Sequence, residues 1–373
     1  MSDVVLFDKL VCGNGKQIGV ATLNSEKSLN ALSGQMIDLL YPQLLEWQED
    51  SNVALVILQG AGEKAFCAGG DIVNLYKAMS AYPNEYSPEV EKYFTEEYRL
   101  DYLIHTFNKP IMVWGNGIVM GGGLGMMVGA SHRVVTESSR IAMPEISIGL
   151  YPDVGGTWFL NRMPSNCGLF LGLTGASINA ADAKYTKLAD YFVENSMKQS
   201  LIDKLLDVKW GDTNALNHEK LSMAIKEQEV LSIAKMPHSN VKGHQAMIDD
   251  VVEADDLSAT VNNILSVEVD DKWFNRAQAS LKNGSAVSAQ IVFKQLHSTK
   301  TMTLADCFRM ELGLSVKCGQ YGEFVEGIRA LLIDKDNQPK WKYSNVNEVP
   351  MKEIDWFFVS PWTADKHPLN NLN

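Results

Sequence analysis

The chain has little of what marks several large protein classes. It has five cysteines in 373 residues, Cys12, Cys67, Cys167, Cys307 and Cys318, an odd number at wide spacings with no CxxC. That pattern argues against a disulfide framework and fits reduced thiols in a cytosol-like compartment. No Lys/Arg run is present and the formal net charge is −12, so the basic surface of a nucleic-acid binder is missing. The seven histidines, at 105, 132, 218, 238, 244, 297 and 367, include no HExxH or similar spacing and do not cluster with the cysteines, which leaves metal catalysis without a ligand set. There is no GxSxG nucleophile elbow and no GxxxxGK[ST] phosphate loop, and the glycine run at 121–129 misses GxGxxG because position 128 is Val. The N-terminal MSDVVLFDKLV has no basic region followed by an apolar run, is poor in Arg and carries acids early, so it is read as neither signal nor transit peptide. The expectation is a cytoplasmic protein.

What is present fits a folded, soluble chain: 46% of residues are hydrophobic and 21% charged, enough for one large core or two domains. The 21 uncharged residues PIMVWGNGIVMGGGLGMMVGA, 110 to 130, have the length of a membrane span. Seven Gly, a Pro and an Asn make them a poor helix interior, and a strand, a Gly-rich turn and a helix is the better reading. Strand and helix signals alternate along the first half. QIGVATLN (17–24) and the fully apolar VALVILQG (53–60) read as strands. SGQMIDLLYPQLLEWQED (33–50) reads as a helix capped by Ser33, with Pro42 as a local irregularity. Residues 89–107 read as a helix, IMVWGNG as a strand, and HRVVTESSRIAM as two short strands joined by a polar turn. A strand–Gly-turn–helix unit thus occurs twice, at 53–79 and 111–131. Beyond about residue 200 amphipathic helices dominate, at 196–210, 255–267, 271–282, 285–298, 303–316 and 321–334, and the tail from 335 reads as irregular. The fold class expected is α/β followed by a mainly helical portion, divided as 1–205 and 206–373, with the boundary between 200 and 215.

Two constellations bear on chemistry. The Gly69-Gly70 and Gly121-Gly122-Gly123 turns each lead from a strand into a helix, whose first N–H groups lack intrahelical partners. Two such groups converging on one oxygen would form an oxyanion hole; alternatively the glycines serve only close helix–strand packing. In MPEISIGLYPDVGG (143–156), Glu145 and Asp153 stand eight residues apart across Gly149 among small and apolar neighbours, each preceded by Pro. Carboxylates in such surroundings have raised pKa values and serve as base, acid or nucleophile. The alternatives are that Asp153 caps a helix beginning near Gly155 and that Glu145 pairs with an Arg.

KAFCAGGDI (64–72), GNGIVMGGGLG (115–125) and MPEISIGLYPDVGGTWFL (143–160) resemble the three signature regions of the crotonase, or enoyl-CoA hydratase/isomerase, superfamily. The resemblance implies a spiral of ββα units that binds acyl-CoA, with the backbone N–H groups of Gly70 and Gly122 as the oxyanion hole. The position of the hydratases' first acid is Gly125 here, while Glu145 matches the second and Asp153 is an additional acid. YFTEEYRLDYLI (93–104), TLADCFRMELGLS (303–315) and EFVEGIRALLIDKDNQPKW (323–341) are similar to segments of the thioester-hydrolase branch, with Glu323 where Asp is more typical. That branch implies hydrolysis of a branched or straight 3-hydroxyacyl-CoA, with 3-hydroxyisobutyryl-CoA as the expected substrate, in valine breakdown. It implies Glu145 as nucleophile or general base, Asp153 as orienting group or proton source, and Glu97 gripping the substrate hydroxyl. No metal or redox cofactor is expected, since CoA is part of the substrate, and Lys64 and Lys77 are candidates for its phosphates. The only partner expected is this small molecule, with neither nucleic acid nor membrane. Superfamily members often form trimers and hexamers, which makes a homo-oligomer an expectation unless the C-terminal extension covers the surfaces used.

Overall fold

The computed structural model describes residues 3–253 and 255–373. Its first elements are β1 (Val5–Val11), β2 (Gln17–Leu23), α1 (Gly34–Glu49), β3 (Val53–Gly60), β4 (Ala65–Cys67), α2 (Ile72–Ser80) and α3 (Pro88–His105). Then come β5 (Ile111–Gly115), β6 (Ile118–Met120), α4 (Gly122–Gly129), β7 (His132–Val135), β8 (Arg140–Ala142), α5 (Gly156–Leu160) and β9 (Tyr191–Phe192). The contacts divide the chain into two interleaved units: Met1–Gly70, Leu100–Ile141 and Ile178–Asn240 in one, and Asp71–Arg99, Ala142–Ser177 and Val241–Asn373 in the other.

The first unit is built on a six-stranded sheet of order β1-β2-β3-β5-β7-β9. β1 runs antiparallel to β2 and the remaining pairs are parallel. β3 and β5 are apolar along almost their whole length because both their faces are covered. Trp47, on α1, is buried against Gly19, where a Cβ would lie 2.7 Å from the indole ring. Ser33 caps α1 by accepting from the Met36 amide, and Pro42 sits inside that helix. Helices Lys198–Asp207 and Asn214–Ser232 add Leu201, Leu205, Leu221 and Ile225 to a core shared with Ile18, Leu55, Ile57 and Trp114. A second sheet of order β4-β6-β8 carries the two glycine turns at the ends of β4 and β6. The twice-repeated unit is therefore ββα each time, and the 110–130 segment is β5, β6 and α4. Among the described residues no helix is long and apolar enough to cross a membrane.

The second unit is mainly helical. Ser285, Asp271 and Thr303 cap the helices Ala286–Ser298, Lys272–Asn283 and Leu304–Tyr321. Phe170, on the helix Cys167–Thr174, stacks on Phe274 at 5.6 Å, and Tyr98 meets Phe308 at 5.7 Å. Buried Glu323 accepts from the Ser285 hydroxyl at 2.5 Å and the Lys342 amide at 2.8 Å, tying three segments together.

Several expectations are corrected. β1 and the helix Asn214–Ser232 were not expected. The helix expected at 303–316 continues to Tyr321 and ends where Gly322 turns left-handed at φ 100°. HRVVTESSRIAM is no hairpin: β7 and β8 enter different sheets. The Ser139 hydroxyl, bonded to the Thr136 amide and the Gly115 carbonyl, redirects the chain between them. The tail contains the helix Met351–Phe357 and is pinned by buried Lys317, whose ammonium donates to the carbonyls of Trp356 and Val359.

Candidate active site

In the first unit, β4 and β6 are parallel neighbours, so the turns that follow them emerge side by side. A Cβ on Gly69 (φ 106°) would lie 3.3 Å from the Met120 carbonyl, and one on Gly123 would lie 2.3 Å from the Cys67 carbonyl. Side chains at these positions would force the two turns apart. Gly122 is the first residue of α4, after Gly121 at φ 48°, and its amide has no acceptor within its own helix. The structure thus brings the Gly69-Gly70 and Gly121-Gly122 turns together. Every residue of α4, Gly125 included, is buried and none is charged.

In the second unit, Glu97, Glu145 and Asp153 are 2%, 5% and 4% exposed. Glu97 projects from α3. Glu145 opens a single 3₁₀ turn, Glu145–Ile148, after Pro144. Gly149 closes it at φ 71°, where a Cβ would collide with the Glu323 carbonyl at 2.4 Å. Asp153 follows Pro152, whose carbonyl accepts from Gln295 Nε2 at 2.8 Å. Next come two left-handed residues, Val154 at φ 51° and Gly155 at φ 85°. A β-branched residue in that region is strained, and strain of this kind gathers where geometry is over-determined.

Both structural alternatives for the acids fail. Gly155, not Asp153, is the N-cap of α5, and the amides of Gly155 and Thr157 donate to Glu311 at 2.8 and 2.9 Å. Among the described residues Glu145 has no Arg partner: its Oε2 is buried without a hydrogen bond, and the charges acting on it are those of Asp153 and Glu97. Burial first, then those two charges, pushes the Glu145 carboxyl well above the usual carboxylate range. Glu97 is raised by burial and then by Asp153. Asp153 is pushed up to about 6 by burial, opposed by the Tyr98 hydroxyl, which donates to its Oδ2 at 2.6 Å. A coupled carboxylate cluster of this kind holds and passes protons near neutral pH.

Sequence reasoning missed Tyr98, Tyr151, Glu311 and Ser315. Tyr98 and Tyr151 lie inside motifs quoted for their acids. Glu311 and Ser315 stand four apart on one face of Leu304–Tyr321, a buried acid and hydroxyl in an otherwise apolar stripe. Burial pushes Glu311 up to about 8, held down by its bonds to Thr157 and Gly155. Lys64 and Lys77 are exposed; Lys77 donates to Asn74 at 3.3 Å. Among the described residues no group of three or more His, Cys, Asp or Glu is placed to hold a metal ion.

The model of the enoyl-CoA hydratase/isomerase family matches residues 18–358. A curated mitochondrial 3-hydroxyisobutyryl-CoA hydrolase of Danio rerio is 41% identical over 95% of this chain and 89% of its own. Its Homo sapiens counterpart is 35% identical over 98% and 90%. An enoyl-CoA hydratase structure from Rhodobacter sphaeroides superposes with a TM-score of 0.82 at 29% identity, covering 96% of this chain and 98% of its own. A carnitinyl-CoA dehydratase structure from Mycobacterium thermoresistibile gives 0.84 at 29%, covering 100% and 99%. These superpositions bear out the α/β, crotonase-like fold. They sit beside one correction: the curated hydrolases are named as mitochondrial proteins, which overturns the cytoplasmic expectation drawn from the N-terminal residues. With the family model spanning most of its length, the chain belongs to the enoyl-CoA hydratase/isomerase family.

Proposed function

We propose that this chain is an acyl-CoA thioester hydrolase that releases CoA from 3-hydroxyisobutyryl-CoA, a step of valine breakdown. The observation that favours hydrolysis is the acid cluster: Glu145 and Asp153 are buried together, one Glu145 oxygen is unpartnered, and α4 offers no carboxylate for the acid pair of a hydratase. The names of the curated relatives supply the acyl group.

In the proposed reaction the amides of Gly70 and Gly122 hold the thioester oxygen and stabilise the charge that develops on it. Glu145 attacks the carbonyl to give a mixed anhydride, or takes the proton of an attacking water. Asp153 orients the attacking group or supplies a proton, and Glu97 accepts a hydrogen bond from the substrate's 3-hydroxyl. Lys64 and Lys77 are the proposed contacts of the CoA phosphates. Residues 1–205 form the acyl-CoA-binding core of this scheme, and 206–373 the portion carrying the hydrolase-type extension. The chemistry calls for no metal or redox group.

The test follows free thiol from 3-hydroxyisobutyryl-CoA, with crotonyl-CoA as hydration control, in wild type, Glu145→Gln and Asp153→Asn. Thiol release by wild type that is lost in both variants is the expected result. Loss of the crotonyl-CoA absorbance without thiol release would move the activity to hydration.

A further inference from the structure

We infer that Tyr98, Ser315 and Tyr151 form a reversible hydroxyl chain that favours the protonated form of Asp153 and reorients when that proton leaves, and so position the proton for the departing sulfur. The inference deepens the function proposed above and rests on it.

The chain runs from Asp153 Oδ2 to Tyr98 Oη at 2.6 Å, on to Ser315 Oγ at 2.6 Å, to Tyr151 Oη at 2.8 Å, and ends on the Glu311 backbone carbonyl at 2.6 Å. All are hydrogen-bond distances between buried groups. A carbonyl only accepts, and the hydroxyls own three hydrogens for four contacts. With Asp153 ionised, Tyr98 donates to the carboxylate, Ser315 to Tyr98, and Tyr151 to the carbonyl. Ser315 and Tyr151 are then left oxygen against oxygen at 2.8 Å. With Asp153 neutral, its own hydrogen enters at the head, Tyr98 donates to Ser315 and Ser315 to Tyr151 while Tyr151 keeps the carbonyl, and all four contacts are filled. Burial keeps solvent from supplying the missing hydrogen, so the gap is costly.

Besides Tyr98 and a backbone N–H of its own loop, the side chains facing Asp153 give its charge no help. They are Glu97 and Tyr98 from α3, Glu145 and Tyr151 from its own loop, and Glu311 and Cys318 from Leu304–Tyr321; none is a cation. Asp153 therefore holds its proton up to about pH 6, well above an ordinary aspartate, with the chain poised to reverse.

As the C–S bond breaks, the electron pair stays on sulfur and sulfur takes the Asp153 proton, leaving as the CoA thiol. The Tyr98 and Ser315 O–H groups rotate while Tyr151 keeps its carbonyl, and Tyr98 then donates to the new carboxylate. If Glu145 holds the acyl group, the hydrolytic water bonds to the acyl carbon, gives a proton to Asp153 and frees the Glu145 carboxylate. If water attacks directly, Glu145 takes its proton and passes it to Asp153. Either route consumes one water, yields acid and thiol, and restores the chain.

The experiment is the pH profile of kcat/KM for Tyr98→Phe and Ser315→Ala, in which the basic limb reports loss of the Asp153 proton. Ser315→Ala removes the oxygen–oxygen gap of the ionised state and strands the Tyr98 hydrogen in the neutral state. Its basic limb should move down by about one pH unit. Tyr98→Phe removes the carboxylate's donor, and its limb should move up by about the same amount. A role confined to packing would lower kcat and move neither limb. Limbs that stay fixed, or move the same way, overturn the chain. The infrared band of a neutral carboxyl group, assigned by its loss in Asp153→Asn and titrated in each folded variant, should shift in the same opposed directions and overturns the chain if it does not. Wild type that hydrolyses the thioester with unmoved limbs rejects the chain and keeps the function. Wild type that releases no thiol rejects the function, and the infrared titration alone then decides the chain.

Discussion

The glycine turns of the first unit and the acid cluster of the second are built from opposite materials. The turns use backbone: two parallel strands set them side by side, and their chemistry is available because nothing larger than hydrogen fits at Gly69 or Gly123. The cluster uses side chains whose charge is decided by burial and by partners far along the chain, such as Ser315 and Glu311. The first is a matter of shape and should be insensitive to pH. The second is a matter of protonation and should be sensitive to pH, its stability but not its activity tolerating isosteric change.

That contrast orders the predictions. Removing the Glu145 carboxylate with Glu145→Gln should lower thiol release by about a thousandfold or more while leaving the melting temperature unchanged or raised, since a buried group that resists ionisation is replaced by a neutral one. Gly123→Ala should do the reverse. Its Cβ meets the Cys67 carbonyl at 2.3 Å, so chemical denaturation should show a loss of about 2–4 kcal/mol at every pH. Glu97→Gln should narrow the preference for 3-hydroxyisobutyryl-CoA over isobutyryl-CoA by about ten- to a hundredfold, read as a ratio of kcat/KM values. Glu311→Gln should cost about 1–2 kcal/mol by replacing an acceptor with a donor at the start of α5. It should also flatten the pH dependence of stability. The folded Glu311 pKa is raised from 4.5 to about 8, so its contribution is full below pH 4.5 and is lost as pH rises through about 8. Urea midpoints across that window should fall with rising pH in wild type and fall less in the variant. The smallest effects belong to exposed Lys64 and Lys77: alanine at either should raise KM by about two- to fivefold at low salt and less at high salt.

The first region was the more legible in sequence. Gly pairs after apolar runs announce a strand–turn–helix unit, and the apolar runs of β3 and β5 announce a sheet covered on both faces. β1 was missed because only its Val5 is buried and Asp8 and Lys9 interrupt its apolar residues, so the pattern competes with a loop reading. The helix Asn214–Ser232 was missed because its apolar residues barely favour one face. In the second region the acids were legible from Pro and Gly around them. Their supporting partners were not, because no local pattern tells that Ser315 reaches Tyr98 across 217 residues. The capping role weighed for Asp153 is filled by Glu311, 156 residues from Gly155, which again only folding reveals.

The absence of a cation among the groups that act on Glu97, Glu145 and Asp153 bears on turnover as well as on protonation. An acyl group enters among them as a neutral thioester, but it leaves as a carboxylate, a negative charge set against three buried acids that ionise as pH rises. The free acid should therefore be a poor inhibitor, and poorer still as pH rises, so that the enzyme expels its own product by the field that prepared the reaction.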